Sequence, residues 1–142
     1  MAYYMRFLSE DDQLLNLEEI MSGLRSADPG FRLDEDGILA KGEELLAELE
    51  ISRPGDDLFT AEIDELRELA GQDSAAGQAV ATRLELVTAI LAVRVLWQER
   101  TAEQTLNLLD PLWHWLQAHS HGLVQADGEG FYEAQRLILA TA

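Results

Sequence analysis

Apolar residues fall along this chain with two periods, one suited to strands and one to helices. The densest run, Ile90-Leu91-Ala92-Val93-Arg94-Val95-Leu96-Trp97, is apolar on both faces apart from Arg94 and ends at Gln98-Glu99-Arg100. β-Branched and aromatic residues in such a run predict a strand covered on both sides, at the centre of a sheet. A buried helical segment competes with that reading, because so short an apolar run carries no period that separates the two. Tyr3 to Leu8 alternates weakly and is aromatic-rich, which predicts a first strand, followed by a polar loop from Ser9 to Gln13. Phe31-Arg32-Leu33 and Ile38-Leu39-Ala40 flank Asp34-Glu35-Asp36-Gly37 and read as a hairpin. From Leu45 to Ser52, Leu45, Ala47, Leu49 and Ile51 fall on one face and Leu46, Glu48, Glu50 and Ser52 on the other, predicting a strand with one wet side. A helix over Lys41 to Leu49 is the alternative, since Glu, Leu and Ala favour helices.

The helical period appears four times. Asn16 with Glu19 makes an Asn variant of a capping box before Leu17, Ile20, Met21 and Leu24, and Asp28-Pro29-Gly30 ends that helix. Phe59, Ile63, Leu66 and Ala70 are spaced for a second helix, capped by Asp57 or Thr60 and stopped by Gly71. Gln72 to Gly77 reads as a short connecting loop. A third helix runs to about Leu86 with Ala76, Val80, Leu84 and Val87 as its buried stripe. Thr101 and Gln104 form a Thr-x-x-Gln capping box for a fourth, with Ala102, Leu106, Leu109, Trp113 and Leu116 on one face. Pro111 either kinks that helix or begins a fresh one after Asp110. Leu123-Val124-Gln125 and Phe131-Tyr132 then flank the turn Asp127-Gly128-Glu129-Gly130, and Leu137-Ile138-Leu139 either closes the chain as a strand or extends that arm.

These elements imply one α+β domain over residues 1–142, with an antiparallel or mixed sheet and packed helices. The order β-α-β-β occurs twice, over residues 3–52 and 90–139, which suggests two split-βαβ, ferredoxin-like halves joined by a pattern rather than by residue identity.

Charge changes the picture more than overall composition does. The chain carries 27 Asp and Glu against 10 Lys and Arg, a net charge of −17, with no cysteine. Disulfides, thiolate metal sites and a cysteine nucleophile are excluded. A phosphate backbone or an anionic membrane calls for a basic footprint that this composition lacks, so neither nucleic acid nor membrane is an expected partner. The first 71 residues hold 19 acids and 6 bases, so the negative charge gathers in the N-terminal half. That face either serves solubility or docks a basic protein partner. The N-terminus has neither the basic start nor the cleavage pattern of a signal peptide, and the expected location is cytoplasmic.

Candidate chemistry is sparse. No Gly-x-Ser-x-Gly, His-Glu-x-x-His or Walker pattern occurs, and 27 acids give too many carboxylate pairs for spacing to single one out. His114, His119 and His121 lie within eight residues, and with oxygen from Glu129, Asp127 or Glu133 they are candidates for haem or divalent-metal ligation. The competing reading has them cap a helix C-terminus. The acidic turns at Asp34 and Asp127 lack the further ligands of a calcium loop. Trp113 is expected in the core, whereas Trp115, Trp97 and Arg94 are candidate ligand-binding residues. Arg94 calls for a paired carboxylate, a wet strand position or an anion in a cleft. The expectation is a non-catalytic binding or protein-interaction module, self-association included, with a haem- or metal-binding protein as the alternative.

Overall fold

The computed structural model describes residues 2–11 and 15–141, so Asp12 and Gln13 of the expected polar loop lie outside the described residues. In chain order the elements are β1 (Tyr3–Ser9), α1 (Leu17–Ala27), β2 (Phe31–Leu33), β3 (Ile38–Lys41), β4 (Glu44–Ser52) and α2 (Asp57–Ala70). They continue as α3 (Ala75–Leu84), β5 (Ala89–Val95), α4 (Ala102–His119), β6 (Gly122–Ala126), β7 (Gly130–Glu133) and β8 (Arg136–Ala140). The eight strands form one sheet in the order β2-β3-β4-β5-β1-β6-β7-β8, antiparallel at every pairing. The fold is α+β. The apolar run is the strand β5, flanked by β4 and β1 at the middle of the sheet. The order β-α-β-β does recur, but α1 leads to the edge strand β2 whereas α4 leads to the inner strand β6.

Alternation along β1 and β5 sorts the core into two faces. Phe7, Leu91, Val93 and Val95 point to the face covered by α1 and α4. Leu8 and Ile90 point to the opposite face, where Leu123 and Phe131 join Ile63 and Leu66 of α2 and Val80 and Leu84 of α3. The expectation that β5 is covered on both sides apart from Arg94 holds, since every other residue of the strand is buried. The α2–α3 pair covers Ile90, while Arg94 on the same face remains about one-third exposed and pairs with Glu48.

Several local signals act as their chemistry requires. The Asn16 side chain accepts from the Glu19 backbone N–H at 2.9 Å. Thr101 and Gln104 exchange both bonds of a capping box, at 3.1 and 3.0 Å. Gly71 ends α2 with a φ of 71°. The N-cap of α2 is Asp56, not Asp57 or Thr60, and its carboxylate turns back to accept from the Arg53 N–H at 2.9 Å. Ser74 caps α3 through the Gly77 N–H, so Ala75 to Gly77 belong to the helix rather than to a loop. Helix α4 runs unbroken through Pro111.

Two apolar patterns are shifted. Between β3 and β4 the register slips, with Ala40 opposite Leu45 but Leu39 opposite Ala47. The extra residue, Leu46, turns inward beside Ala47, leaving Leu45 42% exposed. A β-bulge places two successive residues against one, which simple alternation cannot anticipate. In α4 the buried positions are Thr105, Leu109, Leu112, Trp113 and Leu116, so Ala102 faces solvent and Leu106 only skirts the core.

Helices α1 and α4 meet at Gly23. A Cβ built there would lie 1.9 Å from Nε1 of Trp115, so the indole fills the space a side chain would need. Gly23→Ala gains about 1 kcal/mol of helix propensity, but it forces the indole out of its place, an overpacking cost of about 1–3 kcal/mol. Gly23→Ala is expected to lower stability in the native background and to raise it in a Trp115→Ala background. Urea unfolding of the four proteins in the cycle reads that reversal of sign.

Candidate functional site

Helical spacing gives α4 a second stripe beside its core face. Leu106, Asp110, Trp113 and Gln117 succeed one another by three or four residues and so share one side of the helix. That stripe faces strands left uncovered by α1. Tyr3 and Met5 alternate onto this face from β1, and Met5 stands opposite Ala126 of β6. Tyr132 of β7 stands opposite Val124. Between helix and strands lies a groove of about 300 Å³ with more apolar than polar lining.

One end of the groove is fixed by a carboxylate between two phenols. Glu129 accepts from the Tyr3 hydroxyl at 2.6 Å and from the Tyr132 hydroxyl at 2.9 Å. Burial first, then the bond to Glu129 and its charge, push the Tyr3 phenol well above its ordinary range. For Tyr132 the bond to Glu129 leads and burial adds to it, again raising the pKa. Raised folded values mean that the stability contributed by these hydroxyls is fully present below the unfolded phenol value, about 10. It is lost as pH rises through the folded values. In an ultraviolet titration the two tyrosines are expected to ionise late, and Glu129→Gln is expected to bring both transitions down.

The rest of the groove is set by aromatic contacts and a helix-to-turn clasp. Trp97 lies against Tyr3 with ring centroids 5.4 Å apart. Gln117 donates to the Ala134 carbonyl at 3.0 Å, joining α4 to the β7–β8 turn. Trp113 is 8% exposed, and its buried Nε1–H has no hydrogen-bond partner among the described residues.

Behind the sheet a charge network holds the turn that carries Glu129. Arg6 Nε donates to Glu62 of α2 at 2.6 Å, and Nη1 donates to Gln125 at 2.7 Å and to Asp127 at 3.1 Å. The Arg6 guanidinium also lies 5.3 Å from the Tyr4 ring centroid. Burial disfavours the Arg6 cation, but the bonds and charges of Glu62 and Asp127 outweigh it and raise its pKa. Asp127 in turn accepts from the Tyr4 N–H at 3.2 Å, and its own N–H donates to the Tyr4 carbonyl at 3.1 Å. The turn is thus anchored to Arg6 on one face of the sheet and to Tyr3 and Tyr132 on the other. A second network joins α3 to the sheet. Arg83 grips Glu10 with two bonds of 2.6 and 2.7 Å and reaches Glu133 at 2.7 Å. Glu10 above all, and Glu133 after it, hold the Arg83 pKa high against burial.

The candidates read from the sequence occupy several surfaces. Arg94 sits on the open sheet face with Glu48, beside a depression of about 140 Å³ that Tyr4 and Ala92 also line. Its bond to Glu48 raises its pKa, so the structural ion pair accounts for this cation. Trp97 adjoins the groove through Tyr3. Trp115 lies on the other flank of α4, stacked on His119 at 4.7 Å and 18°. His119 Nδ1 is 2.9 Å from the Trp115 carbonyl. His121 Nε2 lies 3.2 Å from Glu10, and His114 is exposed on α4. The structure brings Trp115 and His119 together but disperses the three histidines. Among the described residues no group of three or more His, Asp or Glu side chains is placed to hold a metal ion. The groove residues Tyr3, Tyr132 and Asp110 were not read as site residues in the sequence. The helical stripe from Leu106 to Gln117 carried a signal for Asp110, whereas Tyr3 and Tyr132 are brought there by strand pairing.

No protein-family model, curated protein or solved structure matches the chain. Among the described residues no helix is long and apolar enough to cross a membrane.

Proposed function

We propose that this protein is a non-catalytic binding module and that the groove between α4 and strands β1, β6 and β7 is its binding surface. The observation that carries the reading is a concave, mainly apolar lining with a few convergent polar groups, the usual form of a site that receives a ligand or a partner's side chains. Tyr3, Trp113 and Tyr132 are part of that lining, and aromatic residues dominate the energetics of interfaces. Of the two acids in the lining, Glu129 is held by two phenols and Asp110 stands on α4, and the turn that carries Glu129 is anchored through Asp127 to Arg6.

A thermal-shift screen tests this, with peptides, common metabolites, nucleotides, haem and divalent metals as probes. A ligand at one hundred times its dissociation constant adds about 2.7 kcal/mol to native stability, a rise of several degrees in melting temperature. Leu106→Trp fills the groove from the half-exposed side of α4 and is expected to abolish the shift. A haem or metal shift that survives Leu106→Trp but is lost in His119→Ala with His121→Ala would move the function to the histidines.

A further inference from the structure

We propose that the groove takes a cationic side chain, an ammonium or guanidinium carried on an amphipathic basic peptide, with Glu129 as its counter-charge. The inference rests on the groove being the binding surface and names what it binds. Among the described residues the exposed Glu129 carboxylate accepts two hydrogen bonds, both from neutral phenols, which orient it without supplying an opposite charge. Asp110 adds a second acid to the lining from α4. The ion pairs among the described residues engage neither of them, whereas Arg6, Arg83, Arg94 and Arg100 are each matched to an acid elsewhere.

Around these acids stand Tyr3, Tyr132 and Trp113, the ring types whose faces attract cations at close range. Met5, Leu106 and Val124 supply apolar surface for the methylene stem of a lysine or arginine, which buries its chain and keeps its charge at the end. A net charge of −17 would steer a basic partner toward the protein and repel an acidic one. A peptide is favoured over a free amine because the lining combines apolar surface from Met5, Leu106 and Val124 with two carboxylates, Asp110 and Glu129. That combination suits a chain that carries both apolar and basic residues.

Selection from a phage-displayed library of random dodecapeptides tests the proposal on the intact protein. Selected peptides are expected to be enriched in Lys or Arg beside apolar residues. Glu129→Gln is expected to weaken them at least tenfold, and Leu106→Trp to abolish binding. Circular dichroism and melting temperature confirm that both variants fold. Peptides without a cation, or with affinity unchanged by Glu129→Gln but lost in Leu106→Trp, would overturn the cation and leave the groove standing. Peptides indifferent to Leu106→Trp, or no enrichment at all, would overturn both readings.

Discussion

Glu62→Ala is expected to cost about 3 kcal/mol of folding stability, measured by urea unfolding. The side chains of Arg6 and Glu62 are 14% and 9% exposed and meet at 2.6 Å. Removing one member of a buried ion pair leaves the other charge desolvated and typically costs about 3–5 kcal/mol. The low end applies here because Asp127 and Gln125 still hold Nη1 of Arg6. Replacing both partners by apolar residues, as in Arg6→Met with Glu62→Leu, is expected to recover most of the loss, since no buried charge then remains. A loss in Glu62→Ala below about 1 kcal/mol, the range of exposed pairs, would show that Arg6 is solvated in the folded protein. The same substitution bears on the binding surface. With Arg6 released from α2, the Asp127 turn loses part of its anchor, and affinity at the groove is expected to fall.

Gly130→Ala is expected to be as damaging. Gly130 has a φ of 144°, and a Cβ built there would lie 2.0 Å from the Leu139 carbonyl oxygen, a backbone atom of the neighbouring strand. Backbone strain of about 1–3 kcal/mol adds to a steric cost of similar size, for an expected loss of about 3 kcal/mol or more. Gly128 is the internal control. Its φ is 75°, but a Cβ there meets nothing within 4 Å, so Gly128→Ala carries only the left-handed penalty of about 1–2 kcal/mol. Equal losses at the two positions would show that β8 does not press on β7 as described. Because Gly130 follows Glu129 directly, its substitution is also expected to loosen the Tyr3–Glu129–Tyr132 contact and lower the two phenol pKa values.

Local chemistry was legible in the sequence where one segment contains the whole interaction. The Thr101–Gln104 box and the Asn16 cap each join residues three positions apart, so their spacing alone specifies them. The apolar run at 90–97 likewise marked the sheet's centre, because a strand flanked by neighbours must be apolar over most of its length. The bulge at Leu46 was not legible, since a one-residue slip depends on how β3 and β4 pair. Glu62 was hidden for a related reason. It sits beside Ile63 in a helix whose apolar stripe looks complete without it, and its partner Arg6 lies 56 residues away. Tyr3 and Glu129 are separated by 126 residues and meet only because β1 pairs with β6. Trp115 and the histidines stood out by residue type, but type alone does not say which flank of α4 a side chain occupies.

The groove itself is tested most directly by nuclear magnetic resonance with a simple probe. Phenethylamine, an aromatic ring bearing an ammonium, is titrated into the ¹⁵N-labelled protein while backbone and indole N–H signals are followed. The expected perturbations fall on the Trp113 indole and on residues 128–132, and they shrink in Glu129→Gln. Perturbations confined to Trp115 and His119, or to the open sheet face around Arg94, would place the binding surface elsewhere and contradict the account.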